Sequence, residues 1–88
     1  MFVIITYDIV DVNTLNRTRK ILKKYLTWTQ NSVFEGEIQD SKLNKCMCDI
    51  EKNINKHEDS IYIYEVKNPK NIIKKSCGIY KNFEDMFL

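Results

Sequence analysis

The chain has 88 residues with 14 Lys and Arg against 12 Asp and Glu, a formal net charge of +2. That length disfavours a deep pocket for a large cofactor, and that charge falls short of the strongly basic totals of many nucleic-acid binders, so only a local basic face is expected. Hydrophobic residues at 43% and aromatics at 11% exclude disorder, and two Gly with one Pro point to regular elements joined by short loops.

Residues 2–8 are apolar on both alternations and rich in β-branched types, as in a central strand covered on both faces, and the run stops on the carboxylate of Asp8. Asp11 or Asn13 can then cap a helix running to about residue 26. Leu15, Ile21, Leu22, Tyr25 and Leu26 form its apolar stripe, while Arg17, Lys20 and Lys24 take another face flanked by Arg19 and Lys23. Residues 28–38 read as extended, either one long strand or a hairpin, with Glu35-Gly36-Glu37 the place for a bend or bulge. Ser41 is a cap for a second helix carrying Leu43, Cys46, Met47, Ile50 and Ile54 at three- and four-residue steps.

A polar turn through His57 leads to another strand over residues 60–66, where Ile61 and Ile63 alternate with Tyr62 and Tyr64. Asn68-Pro69 opens a short helical turn, and residues 77–80 are again strand-like. The tail ends on Phe83, Met86, Phe87 and Leu88, an apolar group that predicts docking on a neighbour. The expected architecture is one α+β domain over residues 1–88, a ferredoxin-like sandwich with an antiparallel sheet and its helices on one face.

Asp8 leads the residues that could carry chemistry, because an acid at the end of a buried strand is held rigidly. Mg²⁺ commonly takes one or two carboxylates and keeps several waters, so a second Asp8 from a twofold-related chain would complete a site. Two such charges need a cation between them, which links dimerisation to metal binding. Asp11 reads as a cap. The basic face of the first helix, doubled across a dimer, spans phosphates, and Arg17 can hold one bidentately. Cys46-x-Cys48 lacks zinc-knuckle spacing and a second pair, and Cys46 lies on the apolar stripe, so it reads as core. An odd count of three cysteines, with no leader and no membrane-length apolar run, sets the expectation of a reducing cytoplasm and no membrane partner. His57 reads as surface. The isolated Gly36 and Gly78 form no phosphate-cradling loop, which disfavours ATP or dinucleotide binding.

Tyr7-Asp8-Ile9, Asn16-Arg17, Gln30-Asn31-Ser32-Val33-Phe34-Glu35-Gly36 and Glu58-Asp59-Ser60-Ile61-Tyr62-Ile63-Tyr64 occur in that order at these separations. Together they resemble the small CRISPR-associated adaptation protein family, ferredoxin-like dimers that partner the CRISPR integrase, and the likeness spans nearly the whole chain. The resemblance implies a homodimer whose two Asp8 side chains share a divalent Mg²⁺, and a role bridging integrase subunits while basic residues support the incoming DNA duplex. It also implies Mg²⁺-dependent endonuclease activity on RNA or DNA, with Asp8 as the catalytic and metal-binding residue. Arg17, Arg19, Lys20 and Lys24 would contact nucleic acid, Tyr7, Ser32 and Phe34 would frame the site, and Phe83, Met86, Phe87 and Leu88 would be exchanged with or docked on a neighbour. The stretch Tyr25–Thr29 departs from the family, which often has a Gly after the first helix and a basic residue before the Ser-Val-Phe pattern; one phosphate contact is lost there, and no role is transferred to Trp28. The competing reading is a ferredoxin-like RNA-binding or toxin-type interaction domain without a CRISPR role.

Overall fold

The alternation in the first strand is resolved by a computed structural model that describes residues 1–78. The elements are β1 (Phe2–Asp8), α1 (Val12–Lys23), β2 (Thr27–Gln30), β3 (Val33–Glu37), α2 (Asp40–Glu51) and β4 (Ser60–Val66), followed by a 3₁₀ turn over Pro69–Asn71. The four strands form one sheet in the order β2-β3-β1-β4, antiparallel at every pairing. This is the βαββαβ ferredoxin-like arrangement expected from the sequence.

Val3, Ile5 and Tyr7 on one face of β1 are buried with Phe34, Leu22, Leu43, Cys46 and Ile50 in a single cluster, so both helices cover the same face of the sheet. Burying a side chain such as Ile5, Leu22 or Phe34 contributes about 1.5–3 kcal/mol relative to leaving it exposed. The other face of β1 carries Phe2, Ile4 and Thr6, which are only half-buried. Tyr64 and Tyr62 lie opposite Ile4 and Thr6 on β4 and are exposed to 54% and 61%. Within one chain, therefore, β1 is central in the sheet but covered on a single face; the cover expected on the second face is not supplied by the described residues.

Helix α1 starts where the sequence places it. The Asp11 carboxylate accepts from the Thr14 amide at 2.8 Å and the Thr14 hydroxyl at 3.0 Å, satisfying a donor that the first turn leaves open. Helix α2 begins one residue before the expected cap: Asp40 lies in the first turn, where its charge suits the positive helix end, and Ser41 is already helical.

Residues 27–37 form a hairpin turning at Asn31 and Ser32. Its irregularity is in β2 rather than at Gly36: Trp28 pairs with Phe34 and Gln30 with Val33, which leaves Thr29 as an extra residue. Gly36 has another purpose. At φ +155° a Cβ there would lie 3.2 Å from Leu26 Cδ2, so glycine lets the corner between α1 and β2 close on β3.

After β4, the Asn68 side chain accepts from the Lys70 amide at 3.0 Å and caps the 3₁₀ turn. Lys74 then pairs with Glu35, the β3 residue opposite Ile4, which brings the chain back towards the middle of the sheet. Residues 72–77 form no regular element. The remainder of the strand-like piece expected at 77–80, and the docking residues Phe83, Met86, Phe87 and Leu88, lie outside the described residues.

Candidate metal and nucleic-acid site

Asp8 continues the alternation of β1 and so emerges on the open face, at the last rung of the ladder opposite Ser60. Bonds on both sides hold the backbone around it. Towards β3, the Tyr7 amide donates to the Ser32 carbonyl at 3.1 Å and the Tyr7 hydroxyl donates to the Asn31 carbonyl at 3.1 Å. Towards β4, the Val10 amide donates to Asp59 Oδ1 at 3.0 Å. The Asp8 carboxylate itself is exposed and forms no hydrogen bond or ion pair among the described residues.

The other acids nearby are engaged. Hydrogen bonds from the Thr14 amide, and next from its hydroxyl, hold the Asp11 carboxyl below the usual carboxylate range, as befits a cap. Asp59 uses both oxygens, the second accepting from the Asn55 amide at 2.8 Å. Consistently, no cluster of three or more His, Cys, Asp or Glu among the described residues could hold a metal ion. One chain thus offers one unengaged carboxylate here, which fits half of a Mg²⁺ site made from hard oxygen ligands and water.

The basic residues of α1 divide into two groups. Arg17, Lys20 and Lys24 are exposed, on a helix whose Val12–Lys23 span contains no acid. Arg19 is half-buried: its Nε donates to the Tyr7 hydroxyl at 3.2 Å and its Nη2 to the Asn31 carbonyl at 3.3 Å. The guanidinium carbon lies 4.9 Å from the centroid of Trp28, with Lys23 Nζ at 5.3 Å. Trp28 in turn stacks on Phe34 at 6.2 Å with an interplanar angle of 11°, and its Nε1–H points at the Asn31 carbonyl at 3.0 Å. The Asn31 carbonyl therefore accepts from Tyr7, Arg19 and Trp28 together, pinning the hairpin turn against the end of β1. Of the residues expected to frame the site, Ser32 contributes its carbonyl, Tyr7 is next to Asp8, and Phe34 lies under the aromatic pair.

Sequence reasoning missed Trp28, Asn31 and Asp59. An indole at a bulge, a backbone carbonyl and an acid before a strand carry no periodic signal; only the folded chain brings the Asn31 carbonyl to Tyr7, Arg19 and Trp28, and Asp59 to the Val10 amide. Cys46 is core as expected, its thiol pushed up to about 11, first by burial and then by Asp49. His57 is exposed. No helix among the described residues is long and apolar enough to cross a membrane.

Fold and site define a ferredoxin-like α+β protein with an exposed carboxylate at the end of its central strand and an acid-free basic helix in the covering layer. Residues 1–71 match the family model described as CRISPR associated protein Cas2, and the chain belongs to that family. It is 51% identical over 80 residues, covering 91% of this chain and 90% of the relative, to a protein of Thermodesulfovibrio yellowstonii named CRISPR-associated endoribonuclease Cas2 3. A Dictyoglomus turgidum protein named CRISPR-associated endoribonuclease Cas2 is 39% identical over 88 residues, the full length of both chains. Among solved structures, one described as a crystal structure of cas2 superimposes with a TM-score of 0.82 at 38% identity, covering 92% of this chain and 90% of that one. Streptococcus pyogenes Cas2 at pH 6.5 gives a TM-score of 0.76 at 25% identity, covering 88% of this chain and all of the other.

Proposed function

We propose that this chain is a CRISPR adaptation subunit that works in the cytoplasm as a homodimer, bridging integrase subunits and supporting the incoming spacer DNA. The observation that carries the reading is the place of Asp8, an unengaged acid on the open face of a central strand, seated by bonds to both neighbouring strands. A second copy on the open face would bury Phe2, Ile4, Tyr62 and Tyr64 and bring the two Asp8 side chains to a common axis. Membership of the family and its likeness to proteins named for CRISPR support the role.

In the dimer, Arg17, Lys20 and Lys24 of both copies hold phosphates of a duplex, Arg17 through its planar fork and the lysines as point charges. Arg19 is spent largely on the Tyr7 and Asn31 contacts and adds charge to the same helix. The tail residues Phe83, Met86, Phe87 and Leu88 engage a neighbouring subunit, either the second copy or the integrase.

A metal-dependent endonuclease is the second reading, favoured by the name endoribonuclease that the relatives bear. Paired Asp8 carboxylates would hold Mg²⁺, which when bound supplies charge to polarise a phosphodiester. This chain's own part is to seat the acids through the Tyr7 and Asp59 contacts and to align the strand through the basic helix. Asp11 is held as the helix cap and both Asp59 oxygens accept backbone amides, so neither serves as a general base beside Asp8, which favours the architectural role.

Asp8→Asn decides between the readings when assayed for Mg²⁺-dependent cleavage of RNA and DNA and for integrase-dependent spacer insertion. Loss of cleavage with insertion intact would make the metal site real and separable from adaptation. Wild-type protein that never cleaves would remove the enzymatic reading. A wild type that supports no insertion beside its cognate integrase would remove the adaptation role.

A further inference from the structure

Asp8 is exposed, so its orientation is set by the backbone rather than by packing. The β1–β4 ladder ends at the pair Asp8 and Ser60. One step further along each chain, a side chain takes over from the ladder: Asp59, immediately before β4, accepts the Val10 amide on Oδ1 at 3.0 Å. Its Oδ2 accepts the Asn55 amide at 2.8 Å, and its own amide donates to the Asn55 carbonyl at 2.7 Å, which ties Asp59 into the turn that follows α2. Between the last rung at Asp8 and the helix cap at Asp11, Ile9 packs into the core and the Val10 amide adds a hydrogen-bonded anchor to the turn before β4. Val10 is itself 66% exposed, so its side chain adds little to that anchorage.

Resting on the role proposed for Asp8, we infer that Asp59 is its positioning residue: the Asp59 carboxylate adds a rung at Val10 and thereby fixes how the Asp8 side chain leaves the sheet. A merely structural acid would stabilise the turn at 55–59 without affecting Asp8. A positioning acid transmits the state of the Val10 amide to the Asp8 carboxylate.

The test uses the full chain labelled for NMR, as wild type, Asp59→Ala, Asp59→Asn and Asp8→Asn, with Mn²⁺ as the probe. Three quantities are read: Val10 amide exchange, the Asp8 carboxyl carbon resonance, and the Mn²⁺ dissociation constant. Asp59→Ala is expected to speed Val10 exchange by about tenfold or more, to displace and broaden the Asp8 resonance, and to weaken Mn²⁺ binding by about tenfold, the usual scale for a residue that orients a ligand. Asp59→Asn keeps one carbonyl oxygen, and wherever Val10 protection is retained the Asp8 resonance and Mn²⁺ affinity return with it. Any folded variant that frees the Val10 amide while leaving the Asp8 resonance at its wild-type position overturns the inference. If Asp59→Ala fails to fold, Asp59→Asn is read by the same rule. Equal Mn²⁺ binding by wild type and Asp8→Asn would defeat the metal reading of Asp8 alone, and the Asp8 resonance would still decide the part played by Asp59.

Discussion

Thr18 is fully buried on α1, and its Oγ1 is the one buried side-chain polar atom among the described residues without a hydrogen-bond partner. It occupies the stripe between Leu15 and Leu22 at three- and four-residue steps, where the branched Cβ fills space that a polar reading of threonine would assign to solvent. A buried hydroxyl left unsatisfied costs on the order of 1 kcal/mol, and valine has nearly the same shape. Thr18→Val should therefore raise stability by about 1 kcal/mol, seen as a higher urea midpoint at unchanged slope. A lower midpoint would mean that the hydroxyl finds a partner in solution. Sequence spacing locates this stripe well but ranks its members by hydropathy, which is why Leu22 was legible as core and Thr18 was not.

The hairpin β2–β3 shows how much of an element its sequence reveals. Val33 and Phe34 announce a strand, yet a run of eleven residues without Gly-rich punctuation left one strand or two equally open. The turn at Asn31 and Ser32 is instead held by side chains from elsewhere, since Tyr7, Arg19 and Trp28 all donate to the Asn31 carbonyl. Helical spacing separates Arg19 and Lys23 from Arg17, Lys20 and Lys24, but it cannot say that Trp28 waits opposite the first pair. Lysine at position 19 would keep the charge and lose the planar fork that serves two acceptors while stacking on an indole. Arg19→Lys is expected to cost about 1 kcal/mol in denaturant unfolding, whereas Arg17→Lys at an exposed position should stay within about 0.5 kcal/mol. Equal effects from the two substitutions would show that the contacts to Tyr7 and Asn31 contribute little.

At the scale of the molecule, the order of elements was readable because strand and helix periods alternate cleanly, and the ferredoxin-like sheet follows from that order. The open face was harder to foresee. Phe2, Ile4, Tyr62 and Tyr64 look like core in a sequence, and in a single chain they are left half-covered or exposed. Apolar surface of this kind on a central strand is accounted for by the proposed second copy. Tyr62→Lys places a cation, and with its copy a pair of like charges, on that face. It should raise the dimer dissociation constant at least about tenfold, or about 1.4 kcal/mol, measured by sedimentation, while the thermal unfolding of the monomer changes little. Unchanged association would move the dimer contact elsewhere. The same face carries Asp8 at its end, so weaker association should also lower metal affinity if the two acids share an ion.

Trp28 is the sole tryptophan of the chain. Stacked on Phe34, covered by Arg19 and Lys23, and bonded to the Asn31 carbonyl, it makes the natural ultraviolet emission of this protein a report on one corner. That corner joins the first helix, the hairpin turn and the strand that ends at Asp8, and no dye has to be attached to watch it. A change in indole emission on adding DNA, Mn²⁺ or a partner subunit would be a signal from the helix-covered side of the hairpin turn, where Arg19 meets Tyr7 and the Asn31 carbonyl.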